Sequence, residues 1–424
     1  MPECQTTPCH ADPTETGCGG VHRMLVYSFE CAHDHTPPWQ LIKLPEYVDT
    51  LGARCLDGSP ASMFVQSGEG LLPDSFIIDF EGGGWCYGSD ADPTNPLPGC
   101  AARAGSTFGS STRLSETMPY PGGFLSSSPT DNPDFHNWTK VFVNYCDGIS
   151  YVGDRTEPVV DKASGTPVYF RGKRILDAVI AGLAASHGLT AAKRVIVSGN
   201  SAGGLTVYLH LDRIAALVNG VAPAASVVGF PDGGYFLDIE NTAGRKVFRQ
   251  KMEATFDLAN GSSGVNAACK AAHPANVSDC LFAQHTFPHL KTPLFALQSQ
   301  YDAWQLGWVL ELRDPTGAVA IAGRSPTAAC LKDKVCSARF QGFKDSMVDL
   351  FAPVEATAKG VYLSSCLVHC QATVDGSGIF AGHAAEGWTV SNRTVSKAFG
   401  DCYFGRGSCQ SVDTVRWPGN PTCL

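Results

Sequence analysis

Short runs of β-branched and aromatic residues, each ending at glycine or polar residues, alternate along this chain with longer stretches of helical period. Ser75-Phe-Ile-Ile-Asp-Phe80, Lys140-Val-Phe-Val-Asn-Tyr145, Val195-Ile-Val197, Pro293-Leu-Phe-Ala-Leu-Gln298 and Val361-Tyr-Leu363 read as buried strands. Between Arg171 and His187 the residues Ile175, Leu176, Val179, Ile180, Leu183 and Ala184 share one helical face, and Gly188 would stop the helix. Leu205 to Val218 is apolar and free of proline, the pattern of a helix packed on a sheet. Phe343, Met347, Leu350, Phe351 and Val354 mark a further helix, closed by Gly360. Strands alternating with helices predict an α/β fold with a mostly parallel sheet. Residues 1–50 lack this periodicity and are rich in proline, histidine and cysteine, so they read as an extension pinned by disulfides. Residues 51–424 read as a single domain, with a loop-rich stretch at 89–138.

Composition narrows the partners. Hydrophobic residues at 44% supply a core, while charged residues at 17% and a net charge of −9 argue against nucleic acid, whose phosphates need basic clusters. No stretch is long and apolar enough to span a membrane; Ile214 to Phe230 is broken by Asn219, Gly220 and Pro223. Seventeen cysteines point to an oxidising compartment, and the N-x-S/T acceptors Asn137, Asn260, Asn276 and Asn392 agree. Met1 to Gly20 is polar and shows no signal-peptide core, so the expectation of a secreted, extracellular or cell-wall protein rests on the cysteines. A monomer is expected.

The candidate chemistry centres on Gly199-Asn-Ser-Ala-Gly203, a G-x-S-x-G between the Val195 strand and the Leu205 helix. That context is a nucleophile elbow, in which glycines leave room for a sharp strand-to-helix turn. Ser201 then needs a base to take its proton and an acid to orient the base. Asp302 lies a few residues beyond the Pro293–Gln298 strand, at the end where such sites form; Asp314, Asp333, Asp345 and Asp349 are rivals by chain order. Only His369 and His383 follow, and His369 has cysteines on both sides to fix its loop. Backbone N–H donors for an oxyanion would come from Ala202 and from the loop Gly82-Gly-Gly-Trp85. No phosphate-binding G-x-x-x-x-G-K-[ST] occurs, and Cys366-x3-Cys370 lacks a second ligand pair for zinc, so neither a cofactor nor a metal is expected.

Taken together the chain resembles the pectin acetylesterase family, α/β-hydrolase-like carbohydrate esterases that include the Notum-type lipid deacylases. The resemblance runs from about Cys55 to Cys423. It rests on Cys55-Leu-Asp-Gly-Ser-Pro60, Glu81-Gly-Gly-Gly-Trp-Cys86, Tyr145-Cys-Asp-Gly148, Phe170-Arg-Gly172, Ser201-Ala-Gly-Gly204, Asp232-Gly-Gly-Tyr-Phe236, Tyr301-Asp-Ala-Trp-Gln305, His369-Cys-Gln371 and Asn420-Pro-Thr-Cys423, in that order. It implies an α/β-hydrolase-like sheet with helices on both faces and long disulfide-tied loops. It further implies a secreted serine esterase releasing O-acetyl groups from a polysaccharide such as pectin. Ser201 would be the nucleophile, Asp302 the acid and His369 the base, with Gly84, Trp85 and Ala202 forming the oxyanion hole. The resemblance also implies the pairs Cys55–Cys146 and Cys86–Cys100, while Cys269 with Cys280 and Cys330 with Cys336 read as local loops. Asn200 stands where plant members tend to have cysteine, and Cys402 where an aromatic is usual. Two other readings of the same fold are a fatty-acyl carboxylesterase of Notum type and a catalytically silent binding protein.

Overall fold

Nine strands form one sheet in the computed structural model, which describes residues 37–69, 74–118, 122–372 and 388–423. They are β1 (Gln40–Lys43), β2 (Ser62–Gln66), β3 (Ser75–Phe80), β4 (Thr139–Val143), β5 (Arg194–Asn200), β6 (Ser226–Asp232), β7 (Phe295–Asp302), β8 (Gly360–Val368) and β9 (Gln410–Val412). Their order across the sheet is β1-β2-β4-β3-β5-β6-β7-β8-β9. The pairs β1–β2 and β2–β4 are antiparallel and every later pair is parallel, the mostly parallel sheet that the alternating pattern predicts.

Both faces of the sheet are covered, which explains why its strands read as continuous apolar runs. Phe76, Ile78, Val195 and Val197 point to one core, while Ile77 and Ile196 point to a second, following the two-residue alternation of a strand. The first core holds the helices α1 (Gly172–Ser186), α2 (Ala202–Val221), α3 (Val247–Leu258) and α4 (Lys334–Thr357). The second holds α5 (Val395–Tyr403) and a cluster of rings from the loop-rich stretch, with Phe399 stacked 4.1 Å from Phe230.

Three expectations need adjusting. The compact unit starts at Pro37 rather than near residue 51, because β1 pairs with β2 and carries Leu41 and Ile42 onto the two cores. Four residues are too few to show a period. The Pro293–Gln298 run continues as strand to Asp302, since the polar Ser299 and Gln300 are buried and bonded to Cys366 O and Asp413 O. Strand β6 was hidden by Gly229 and Pro231; a Cβ on Gly229 would come within 2.7 Å of Leu211 on α2. The proposed extension, with Cys4, Cys9, Cys18 and Cys31, lies outside the described residues up to Thr36.

Among the described residues six disulfides form. Two are those implied by the resemblance, two are the expected local loops, and Cys366–Cys423 and Cys402–Cys409 are additional. The second of these accounts for a cysteine where an aromatic is usual. Of the glycosylation candidates, Asn260, Asn276 and Asn392 are exposed; Asn137 is half-buried, with its Thr139 buried at the start of β4.

Four carboxyl groups are buried around the strand ends. Desolvation raises Asp79, Asp147 and Asp232 to about 7 and Glu81 to about 8. Between about pH 4 and 7 the folded chain therefore holds protons that the unfolded chain has lost, so these groups make stability fall as pH rises. Burial lowers His210 to about 3, which acts in the opposite direction between 3 and 6.5. The four carboxyls outweigh His210 and the part-buried His187, which desolvation also lowers. The melting temperature should fall from pH 5 to pH 8, measured by scanning calorimetry at fixed ionic strength; a rise over that interval would contradict this account.

Candidate active site

The ends of β5, β7 and β8 converge on one point. Strand β5 stops at Asn200, and helix α2 begins at Ala202. The single residue between them, Ser201, has φ +56° and ψ −121°, a strained conformation for a side-chain-bearing residue. The turn closes because a Cβ on Gly199 would strike the Gly203 carbonyl, and one on Gly203 would strike the Phe80 carbonyl. Ser201 N–H donates to Asp232 O at 2.8 Å, fixing the elbow to β6.

His369 follows the last residue of β8. The pairing of β8 with β7 shifts by one residue between Ser364 and Leu367, so Val368 lies opposite Asp302 and His369 comes next. His369 Nε2 lies 2.8 Å from Ser201 Oγ, and Nδ1 lies 3.0 Å from both Asp302 oxygens. A carboxylate only accepts, so Nδ1 carries the proton and Nε2 is free to accept from the serine hydroxyl. Asp302 is fully buried and also receives Gln298 Nε2, Gln305 N and Gln305 Nε2, each at 3.0 Å. Those donors leave its carboxylate one orientation. The imidazole is 3% exposed and packs against Trp304 and Phe236, with ring centres 6.0 and 5.7 Å away.

The rival acids have other partners. Asp333 caps α4 through Cys336 N, Asp314 binds Thr316 and Thr327, Asp345 pairs with Arg416, and Asp349 is exposed on α4. His383 lies outside the described residues.

The glycine loop follows β3 and reaches the same point. Gly82 N–H donates to Asn200 Oδ1 at 3.1 Å, a tie that gives the unusual asparagine a structural role. Gly83 and Gly84 have φ of +135° and +62°, and Cys86 N–H donates to Gly148 O at 3.0 Å. The Trp85 indole is buried, donates to Ser150 Oγ at 2.8 Å, and packs against Phe236, Phe248 and Trp304. Ala202 opens a twenty-residue helix, whose N-terminus favours negative charge. Beside Trp85 lies an open cleft of about 430 Å³ bordered by Tyr87, Arg103, Lys251 and the half-exposed Trp308. Lys251 pairs with Asp90 there.

Asp232 went unread in the sequence although its motif was visible. Its Oδ2 accepts from Gln371 N and Ala372 N at 2.7 Å each, just past His369, while its carbonyl holds Ser201. Only the sheet order, which places β6 between β5 and β7, reveals that role. Elsewhere Cys269, His273 and His289 lie within 4.8 Å of one another, but the sulfur is committed to Cys280, so this set offers two ligands rather than three. No helix among the described residues is long and apolar enough to cross a membrane.

A parallel sheet that delivers serine, histidine and carboxylate to neighbouring strand ends, beside a glycine loop, defines an α/β-hydrolase. The Pectinacetylesterase family model matches residues 38–424, and the chain belongs to that family. Pectin acetylesterase 5 of Arabidopsis thaliana is 32% identical over 424 aligned residues, covering 96% of this chain and 93% of that one. The palmitoleoyl-protein carboxylesterase NOTUM of Drosophila melanogaster is 30% identical over 290 residues, covering 67% of this chain and 40% of that one. The solved structure of the Wnt deacylase Notum from Drosophila superposes with a TM-score of 0.71 at 24% identity, covering 91% of this chain and 99% of that one, and shares the fold. The protein is a carboxylic ester hydrolase.

Side chains joined in one relay should fail together. Ser201→Ala and His369→Ala are each expected to lower the kcat for an activated ester by roughly 10⁴–10⁶-fold, and the double variant no further. Circular dichroism should show the fold retained. Multiplying losses in the double variant would mean that the two groups act separately.

Proposed function

We propose that this chain is an extracellular O-acetylesterase of acetylated polysaccharides, acting as a monomer through Ser201, His369 and Asp302. The observation that carries the reading is the continuous contact from Ser201 Oγ through His369 to Asp302, at 2.8 and 3.0 Å. His369 Nε2 takes the hydroxyl proton as Oγ attacks the ester carbonyl. The tetrahedral oxyanion is met by the backbone N–H groups of Trp85 and Ala202, with Gly84 giving the loop its close approach. Asp302 keeps the imidazole in the required tautomer and faces the positive charge that forms on it. The sugar hydroxyl leaves with the proton from His369. Water then repeats the sequence on the acetyl-enzyme and releases acetate. None of these steps calls for a cofactor.

Two features favour a short acyl group on a glycan. Trp85, Phe236, Phe248 and Trp304 pack ring against ring beside His369, with centres 4.8–6.2 Å apart, and so occupy space that a long chain would need. The neighbouring cleft presents Trp308 and Tyr87, flat apolar surfaces suited to sugar rings, together with the cations of Arg103 and Lys251. Six disulfides support an oxidising, extracellular setting. The exposed sequons at Asn260, Asn276 and Asn392 are compatible with glycosylation there.

p-Nitrophenyl acetate should be hydrolysed with a kcat/KM at least ~10-fold above that of the octanoate, because methylenes that find no apolar pocket add no binding and those that clash cost more. Acetate should be released from acetylated pectin or another acetylated polysaccharide, and not by Ser201→Ala. Preference for octanoate or palmitoleate by a similar factor, with nothing released from the polymers, would replace this reading with a lipid deacylase.

A further inference from the structure

The segment linking β4 to α1 carries one of the two paired backbone distortions among the described residues, the other being Ser391 and Asn392. Ser150 and Tyr151 have φ of +46° and +61°, two successive residues with side chains in the left-handed region. Such conformations cost on the order of 1–3 kcal/mol each and persist only where the surroundings enforce them. The surroundings here are specific. Asp147 Oδ2 accepts from Tyr151 N at 2.9 Å, and Tyr151 Oη donates to Asn144 O at 3.0 Å. Ser150 is fully buried, and each of its polar groups is engaged. Its N–H donates to Tyr145 Oη and its carbonyl accepts from His210 Nε2, both at 3.0 Å. The carbonyl can only accept, so His210 holds its proton on Nε2.

The hydroxyl of Ser150 has two partners. It accepts from the Trp85 indole at 2.8 Å and donates to the Ala202 carbonyl at 2.9 Å. Trp85 and Ala202 are the two residues whose backbone N–H groups face the oxyanion in the mechanism above. They belong to different elements, a glycine loop and a helix N-terminus. A stabilising donor must lie about 2.7–3.1 Å from the developing oxygen, a tolerance of a few tenths of an ångström. Glycines at 82, 83 and 84 leave the loop pliable, so something must set its distance from the helix. The Gly82–Asn200 bond does this at one end, and the Ser150 hydroxyl does it at the donor residues themselves.

We propose that Ser150 is a positioning residue for the oxyanion hole, its hydroxyl fixing Trp85 and Ala202 at the separation that aims both backbone N–H groups at one oxygen. The strained backbone is then the means of bringing that hydroxyl between them. This rests on the esterase reading above and takes from it only the two donors.

The test compares Ser150→Ala, Ser150→Gly and Trp85→Phe with the parent chain, using p-nitrophenyl acetate and an aryl trifluoromethyl ketone. With the ketone, Ser201 Oγ adds to the carbonyl carbon, the serine proton moves to His369 Nε2, and the ketone oxygen becomes an oxyanion in the same hole. Each variant should lower kcat by ~10–100-fold, less than outright loss of a donor, while KM stays within about 3-fold. Ketone affinity should weaken in parallel with kcat/KM. Combining Trp85→Phe with Ser150→Ala should cost less than about 3-fold beyond either alone, since both cut one chain of bonds. Ser150→Gly separates hydroxyl from strain, because glycine adopts the backbone freely and still lacks the hydroxyl. A folded Ser150→Ala or Ser150→Gly that keeps kcat within twofold overturns the proposal, as does a loss confined to KM or to melting temperature. If neither Ser150 variant folds, Trp85→Phe decides: full kcat and full ketone affinity overturn it. Activity surviving in Ser201→Ala would instead sink the esterase reading, whatever Ser150 does.

Discussion

One buried imidazole has to touch two groups on different strands, and the molecule is arranged around that requirement. His369 is 3% exposed, yet it must reach Ser201 Oγ on one side and the Asp302 carboxylate on the other. A parallel sheet meets this need because its strands all end on the same side. The shift in pairing between β7 and β8 sets where His369 emerges, and the elbow after β5 lifts Ser201 to meet it. The strain at Ser201 is tolerable because the flanking glycines and the bond to Asp232 O leave the turn no alternative.

A second layer of polar groups lies beneath those strand ends. Asp79 accepts from Ser198, Glu81 from Tyr145 N, Asp147 from Tyr151 N, and Asp232 from Gln371 N and Ala372 N. Asp79 joins β3 to β5, Glu81 joins the segments that follow β3 and β4, Asp147 braces its own loop, Asp232 ties the segment after His369 to β6, and all four are buried. Their raised pKa values follow from that burial. The same desolvation that makes these bonds strong in a low-dielectric interior makes the ionised carboxyls costly, so positional precision is linked to a preference for acidic conditions.

The parts that were legible in the sequence are those with a local signature. Gly199 to Gly203 announced the elbow because the turn permits few residue types. The helix at 172–186 showed its period, and the strand at 75–80 showed as a short, largely apolar run. Position after a strand pointed to Asp302, flanking cysteines pointed to His369, and the family motifs added two of the disulfides. What stayed hidden has no local signature. Asp232 acts through sheet order, which joins it to Ser201, Gln371 and Ala372, residues 31, 139 and 140 positions away. Ser150 reads as one more loop serine until Trp85 and Ala202 are placed on either side of it. Strand β1 is too short for a period, and β6 contains a glycine and a proline that argue against a strand when read alone.

The Cys366–Cys423 disulfide reaches the strand that leads to the imidazole. Cys366 lies in β8, three residues before His369, and its partner sits beside the final residue of the sequence. That bond braces the strand from whose end His369 emerges. A substitution at Cys423 would act on the same staple as the imidazole, whereas the exposed turn around Asn276 offers an attachment point remote in connectivity from all three strand ends. For anyone immobilising or tagging the enzyme, the handle belongs on that turn, away from Cys423.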